Sequence, residues 1–177
     1  MSIRVRPALV AVGIGLFIAG AVTATAIAGT GRSTVSGGAV ERVGAARGST
    51  PTNTSSTAFQ DVTGASVKIT VPDGQHAILV ARFTTQEDCN VGDGSPSGSC
   101  LARIAVNGHE MQPATGGTVI DTVSAGHGAG IRSAALDRSS AVLGPGTYSV
   151  RAQIKVTSAL MVIEVSDWHL TVERVRA

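Results

Sequence analysis

The sequence predicts an all-β protein: an antiparallel β-sandwich, jelly-roll-like in plan, that follows an N-terminal signal segment and a flexible linker. Three observations favour this fold. Apolar and polar residues alternate with a period of two, turn residues separate the alternating runs at intervals of roughly ten residues, and no run has helical periodicity. A length of 177 residues with 43% hydrophobic and 15% charged residues fits one folded domain with an appendage and excludes wholesale disorder.

The N-terminal segment, residues 1–28, has the parts of a secretory signal peptide. Arg4 and Arg6 precede an uncharged apolar stretch that ends in small residues, with cleavage expected after Ala26 or Ala28. A retained membrane anchor is the alternative, because about 20 apolar residues can span a bilayer. Under either interpretation the rest of the chain is extracellular or at the cell surface, and it contacts a membrane only if the segment is uncleaved.

Residues 29–56 predict a flexible linker. Gly, Ser, Thr and Ala dominate this segment, so it has too little apolar area to offset the entropy of ordering. The hydroxyl-rich run 49–57 fits a solvated linker, and an O-glycosylated stalk is the alternative. The β-sandwich domain is accordingly expected over residues 57–177.

The clearest strand signal lies at 147–156. Tyr148 and every second residue after it are apolar, whereas the residues between them are polar, as in a half-buried strand. Similar but shorter alternation predicts strands at 67–71 and 168–172. Runs that are apolar on both faces predict central strands at 77–83 and 160–165. Two shorter runs predict weaker strands at 119–123 and 131–136.

Turn residues separate these runs. Pro72-Asp73-Gly74 closes one strand, and Leu143-Gly144-Pro145-Gly146 leads into another. Asn107-Gly108 supplies the two positive-φ positions of a type I′ hairpin turn. The Gly-rich piece 125–130 is expected to be an exposed loop.

Cys89 and Cys100 are the only cysteines, and Gly, Ser, Asp and Pro fill much of the interval between them. An even pair in an exported chain predicts a disulfide. Two free thiols or a metal pair are the alternatives, and the absence of a second Cys/His pair at ligand spacing weakens the metal interpretation. The cross-link would be useful because only 3% of the residues are aromatic.

The segment 87–94 clusters side-chain oxygens. Asp88, Asn90 and Asp93 offer three ligands to Ca²⁺, which takes six to eight. The spacing departs from the EF-hand pattern and no Glu stands at its closing position. A solvated acidic loop pinned by the disulfide is therefore favoured over a metal site.

No catalytic motif is found, and no cofactor is predicted. His109-Glu110 begins like the H-E-x-x-H zinc signature, but Pro113 replaces the second His. There is no G-x-S-x-G pentad and no phosphate-binding loop. A hydrolase with a Ser/His/Asp set assembled in space is the least favoured alternative.

Trp168 and Tyr148 are expected in the core rather than on a sugar-binding platform. Each alternates with apolar residues on one face of its strand. A carbohydrate-binding module would then lack the usual exposed aromatics, and a ligand surface would be polar and carried by loops.

The part of the chain from residue 62 onward resembles the small exported β-sandwich proteins, largely uncharacterised, of high-GC bacteria. The residues that carry the resemblance are the two-cysteine loop and three segments: 102–108, 143–150 and 167–172. In outline the strand plan is also similar to jelly rolls of complement and tumour-necrosis-factor type, which implies assembly as trimers. Neither resemblance transfers functional residues, since fold does not imply function.

Charge excludes one class of partner. Residues 1–56 hold five arginines and one acid, so the chain's formal charge of +2 arises outside the predicted domain, and nucleic-acid binding is not expected. The leading hypothesis is a non-enzymatic secreted or cell-surface β-sandwich that acts through protein contacts or self-association, as a homo-oligomer. A binding module for cell-wall glycan or another polysaccharide is the alternative.

Overall fold

The computed structural model describes residues 33–37, 40–92, 97–124 and 130–177. These residues form eleven β-strands. The described part of the chain holds no helix of the length and apolarity needed to cross a membrane. The predicted signal peptide, residues 1–28, lies outside the described residues.

The strands, in chain order, are β1 (Ser33–Gly37), β2 (Val40–Gly48), β3 (Thr52–Thr54), β4 (Gln60–Val71), β5 (Ala77–Val91), β6 (Gly98–Val106), β7 (His109–Glu110), β8 (Thr118–Val123), β9 (Ile131–Ser139), β10 (Gly146–Val156) and β11 (Met161–Arg176).

The strands form two antiparallel sheets that pack face to face. The first sheet has the order β1-β2-β11-β5-β9, and β3 also pairs with β11. The second has the order β4-β10-β6-β7, and β8 also pairs with β6. Eight of these strands form the two main layers: β2-β11-β5-β9 in the first sheet and β4-β10-β6-β8 in the second. If these eight are numbered one to eight in chain order, the layers have the orders 1-8-3-6 and 2-7-4-5. This is the plan of a jelly roll, so the predicted all-β sandwich is confirmed.

The core lies between the sheets and follows from the period of two. In β10, Val150 and each second residue to Val156 are fully buried, as the alternation at 147–156 predicts. The turn at Asn107-Gly108 is also confirmed, with φ of 48° and 86°.

One strand, β11, unites two runs that the sequence separates. Met161, Ile163 and Val165 point inward, and after a bulge the inward residues are Trp168, Leu170 and Val172. The register with β5 shifts between Ser166 and His169. Asp167, with φ of 44°, lies at this bulge, where the extra residue keeps apolar side chains inward on both sides.

The linker predicted over 29–56 is wrong where the structure has strands β1, β2 and β3. Strand β2 pairs with β11 along most of its length, from Gly48 opposite Trp168 to Val40 opposite Val175. Ala46 is part of the core. The folded domain therefore begins before residue 57, and residues 40–177 carry 11 Lys or Arg against 12 Asp or Glu.

The small residues of β2 explain the error. A Cβ placed on Gly44 would lie 2.6 Å from Val67 Cγ1, and one on Gly48 would lie 2.6 Å from Trp168 Cζ2. Glycine is needed where the backbone of β2 approaches large side chains closely. A composition typical of a linker is here the composition of a closely packed strand.

The acidic loop predicted over 87–94 is also wrong in its first half, because β5 continues to Val91. Polar residues at inward positions, Thr85 and Glu87, hide the continuation from a hydrophobic pattern. The central position predicted for 77–83 is confirmed, since β5 lies between β11 and β9. Its outer face is nevertheless open, as partly exposed Val80 shows.

Candidate functional site

The disulfide joins the two sheets at one end of the sandwich. Cys89 lies on β5 and Cys100 on β6, with their Cα atoms 6.1 Å apart and both side chains fully buried. The predicted disulfide is confirmed, and it fits an oxidising environment.

A buried carboxyl pair lies beside the disulfide. Glu87 on β5 is 2% exposed and Asp121 on β8 is 5% exposed. Arg132 Nη1 is 3.1 Å from Asp121 Oδ1. Both carboxyl oxygens of Glu87, and Oδ2 of Asp121, have no hydrogen-bond partner among the described residues.

Burial changes the titration of this pair. The pKa of Glu87 is raised to about 7, chiefly by burial and next by the negative charge of Asp121. The positive charge of Arg132 lowers this pKa, and the negative charge of Asp88 raises it further. Glu87 can therefore hold a proton near neutral pH. Sequence reasoning missed it, although its position two residues before a buried cysteine places it on the inward face of a strand.

The outer face of the first sheet, which we name the acidic face, carries more acids than bases. At the outward positions of its strands the acids are Asp88, Asp137, Glu164, Asp167 and Glu173, against Arg47 and Arg82; most other charged residues of these strands are in register with inward side chains. Arg82 is already paired with Asp137, at 2.6 Å. Glu164 is opposite Asp88, so two carboxylates are neighbours on adjacent strands.

Exposed apolar side chains accompany these carboxylates. Ile131 is 76% exposed, Leu160 62% and Val162 45%. Ile131 is opposite Asp88 in the β5–β9 pairing, and Val162 is opposite Asn90 in the β11–β5 pairing. We name Ile131, Leu160 and Val162 the apolar patch.

The outer face of the second sheet, which we name the basic face, has the opposite charge. At outward positions its strands carry Lys68, Arg103, Arg151 and Lys155 against Asp61 and Glu110.

Phe59 lies across the basic face. The Arg103 guanidinium carbon is 4.0 Å from its ring centroid, and the Lys155 ammonium is 4.6 Å away. These are cation–π distances. Val119, 52% exposed, is opposite Leu101 on the same face.

A groove of about 740 Å³ opens beside the bulge in β11. It is lined by Arg47, Gly48, Ser49, Thr50, Asp167, Trp168 and His169. A second depression, of about 380 Å³, shares Asp167 and continues across β5 and β9. The imidazole Nδ1 of His169 is 3.5 Å from Thr171 Oγ1. The groove thus presents a carboxylate, a guanidinium, an imidazole and hydroxyls side by side.

The candidate Ca²⁺ ligands do not form a loop site. Asp88 and Asn90 lie two residues apart on β5, within the strand, and Asp93 lies outside the described residues. Among the residues that the structure describes, no three His, Cys, Asp or Glu side chains come together in a way that could hold a metal ion.

Trp168 is 2% exposed, and half-buried Tyr148 packs against the core, with its hydroxyl donating to the Gly144 carbonyl at 2.9 Å. Both core predictions are confirmed. Glu110, beside exposed His109, accepts hydrogen bonds from the backbone N–H groups of residues 115–117. Its observed contacts thus hold a loop. The Gly-rich piece at 125–129 lies outside the described residues.

No protein-family model matches the chain, and no curated protein matches it. Among solved structures, the chain is similar to part of dimeric latent PorU from Porphyromonas gingivalis, with a TM-score of 0.34 and 8% identity over 73% of this chain and 13% of that one. It thus spans a small fraction of that protein's length. It is also similar to the CBM22-1 xylan-binding domain of Paenibacillus barcinonensis Xyn10C, with a TM-score of 0.29 and 12% identity over 86% of each chain.

Proposed function

We propose that this chain is a non-enzymatic, exported β-sandwich that acts through protein contacts on its acidic face, with self-association as the form of contact. The observation that carries the proposal is the apolar patch. Ile131 on β9 and Val162 on β11 are exposed on one sheet face, opposite Asp88 and Asn90 of β5, and Leu160 is exposed in the turn that precedes β11. Apolar patches with a polar rim are typical of protein interaction sites.

Sedimentation of residues 29–177 over a range of concentrations tests this proposal. The fragment keeps both sheets and the whole core, which extends from Ala46 to Val172. We expect masses above that of one chain. The double variant Ile131→Ser, Val162→Ser should return the protein to the monomer, because it removes apolar area that association would bury.

Val142→Ser is the matched control for that experiment. Val142 is 57% exposed and lies outside the apolar patch, so this variant should associate like the unaltered protein. A monomer at every concentration for the unaltered protein would contradict self-association.

The groove beside β11 supports a second candidate, a binding module for cell-wall glycan or another polysaccharide. Arg47, Asp167 and His169 are polar side chains of the kind that hydrogen-bond sugar hydroxyls, and Ser49 and Thr50 add hydroxyls. Asp167 also has a positive φ, a conformation that non-glycine residues adopt more often at functional sites.

Retention on insoluble polysaccharides and cell-wall pellets tests the second candidate. Asp167→Gly accepts the same backbone conformation and removes the carboxylate, so retention should fall. Arg151→Ala, on the basic face, is the control and should be retained normally. No retention of the unaltered protein on any of these materials would exclude the candidate.

A further inference from the structure

The two outer faces of the sandwich have opposite charge and matching composition. On the acidic face, Glu164 and Asp88 are neighbours beside the apolar patch. On the basic face, Lys155 and Arg103 both contact the Phe59 ring, with exposed Val119 on the same face. Each face therefore combines exposed apolar area with charges of one predominant sign.

We propose that the partner of the acidic face is the basic face of a second copy of this chain, so that copies associate head to tail. This inference rests on the proposed function and names its partner. The apolar patch of one copy would be covered by Phe59 and Val119 of the next, while Glu164 and Asp88 meet Lys155 and Arg103.

Charge decides between this arrangement and a two-fold dimer. A two-fold contact places the same surface on both partners. Acidic face against acidic face would bring together two surfaces of the same net charge, each carrying the paired carboxylates Asp88 and Glu164, and like charges across an interface are unfavourable. Acidic against basic brings opposite charges together and leaves one free face of each kind at the ends.

The position of the faces predicts the form of the assembly. They are the outer surfaces of two sheets packed face to face, and so they point in opposite directions. A head-to-tail contact between opposite sides of a molecule repeats along a line rather than closing after two copies. We expect a ladder of masses that grows with concentration and shortens as salt screens the charges.

Two face-specific variants test the inference. Glu164→Lys with Ile131→Lys disables the acidic face, and Lys155→Gln with Val119→Gln disables the basic face without giving it charges that could pair with the altered acidic face. Each variant alone should be monomeric, with association weakened at least about tenfold, the effect of 1.4 kcal/mol. An equimolar mixture should give a 1:1 dimer that does not grow, because each copy retains one working face of opposite kind.

The outcomes separate this inference from the proposed function. If residues 29–177 associate and both variants still associate alone, or the mixture stays monomeric, head-to-tail contact is wrong and self-association stands. If the unaltered protein is monomeric throughout, both are wrong. Unfolding curves of each variant, expected to match the unaltered protein because three of the four altered side chains are exposed, exclude misfolding as the cause.

Discussion

Glu87 and Asp121 lie on facing sheets, and the burial of Glu87 together with the charge of Asp121 holds its carboxyl pKa at about 7. An ordinary Glu carboxyl titrates near 4.5. The folded protein therefore binds a proton that the unfolded chain has released at pH 5 to 7.

Because of this difference, the contribution of Glu87 to the free energy of unfolding falls as pH rises. For most carboxyls, whose pKa is lowered in the folded protein, this contribution rises with pH. Since the folded pKa is raised, the contribution of Glu87 is fully present below about pH 4.5 and is lost as pH rises through about 7. We expect Glu87→Gln, which cannot ionise, to match the unaltered protein at pH 4.5 and to exceed it by about 2 to 3 kcal/mol at pH 8.5. Urea unfolding at both pH values measures the change.

Asp73→Asn is the control for the pH experiment, because Asp73 is an exposed carboxyl in the turn that follows β4. Its free energy of unfolding should follow that of the unaltered protein at both pH values. An equal effect of Glu87→Gln at pH 4.5 and 8.5 would contradict the raised pKa.

The disulfide should contribute about 3 kcal/mol to the free energy of unfolding. Cys89 and Cys100 are separated by 11 residues, and closing a loop of this size removes conformational entropy from the unfolded chain. The double variant Cys89→Ala, Cys100→Ala should be less stable by that amount in denaturant titrations. Addition of a reductant should destabilise the unaltered protein and leave the double variant unchanged.

Gly48→Ala should destabilise the fold by about 1 to 3 kcal/mol, because the new methyl group would meet the buried Trp168 ring. Gly144→Ala is the matched control, since nothing lies within 4 Å of a Cβ at that position. Thermal unfolding of both variants provides the comparison. Equal melting temperatures would mean that β2 does not pack on Trp168.

Removal of β2 and β3 should have a larger effect. A chain that begins at residue 57 leaves the edge of β11 unpaired over the length that β2 covers and uncovers Trp168. We expect residues 57–177 to lack a cooperative unfolding transition and residues 40–177 to retain one. Near-ultraviolet circular dichroism during heating distinguishes the two, and cooperative unfolding of the shorter chain would restore the linker interpretation for 40–56.

Sequence patterns predict the strands whose inward residues are large and apolar. β10 and the two halves of β11 were predicted on this basis, and Cys89 and Cys100 were paired from their number and the predicted export. Strand β2 is not predicted, because its inward residues are Gly44, Ala46 and Gly48, which give no apolar alternation. Small residues are needed at Gly44 and Gly48 because large side chains of other strands approach the backbone closely.

The candidate surfaces could not be predicted in the same way. Asp88 and Glu164 are far apart in the chain, and only the pairing of β5 with β11 makes them neighbours. Phe59 lies outside every strand that the sequence predicts, and its ring contacts Arg103 and Lys155 on an outer face. The net charge of each outer face depends on which strands are neighbours in the sheet, and the alternation of apolar and polar residues within a strand does not determine this order.

The pairing of β2 with β11 joins the first and last parts of the domain, with Val40 opposite Val175. The first sheet therefore cannot be completed during synthesis until the C-terminal strand has emerged. Folds dominated by such distant contacts form slowly, because a long loop must close before the contact contributes. For a chain expected to be exported, this delay leaves the polypeptide unfolded, and so able to pass through a narrow channel, until its last strand arrives.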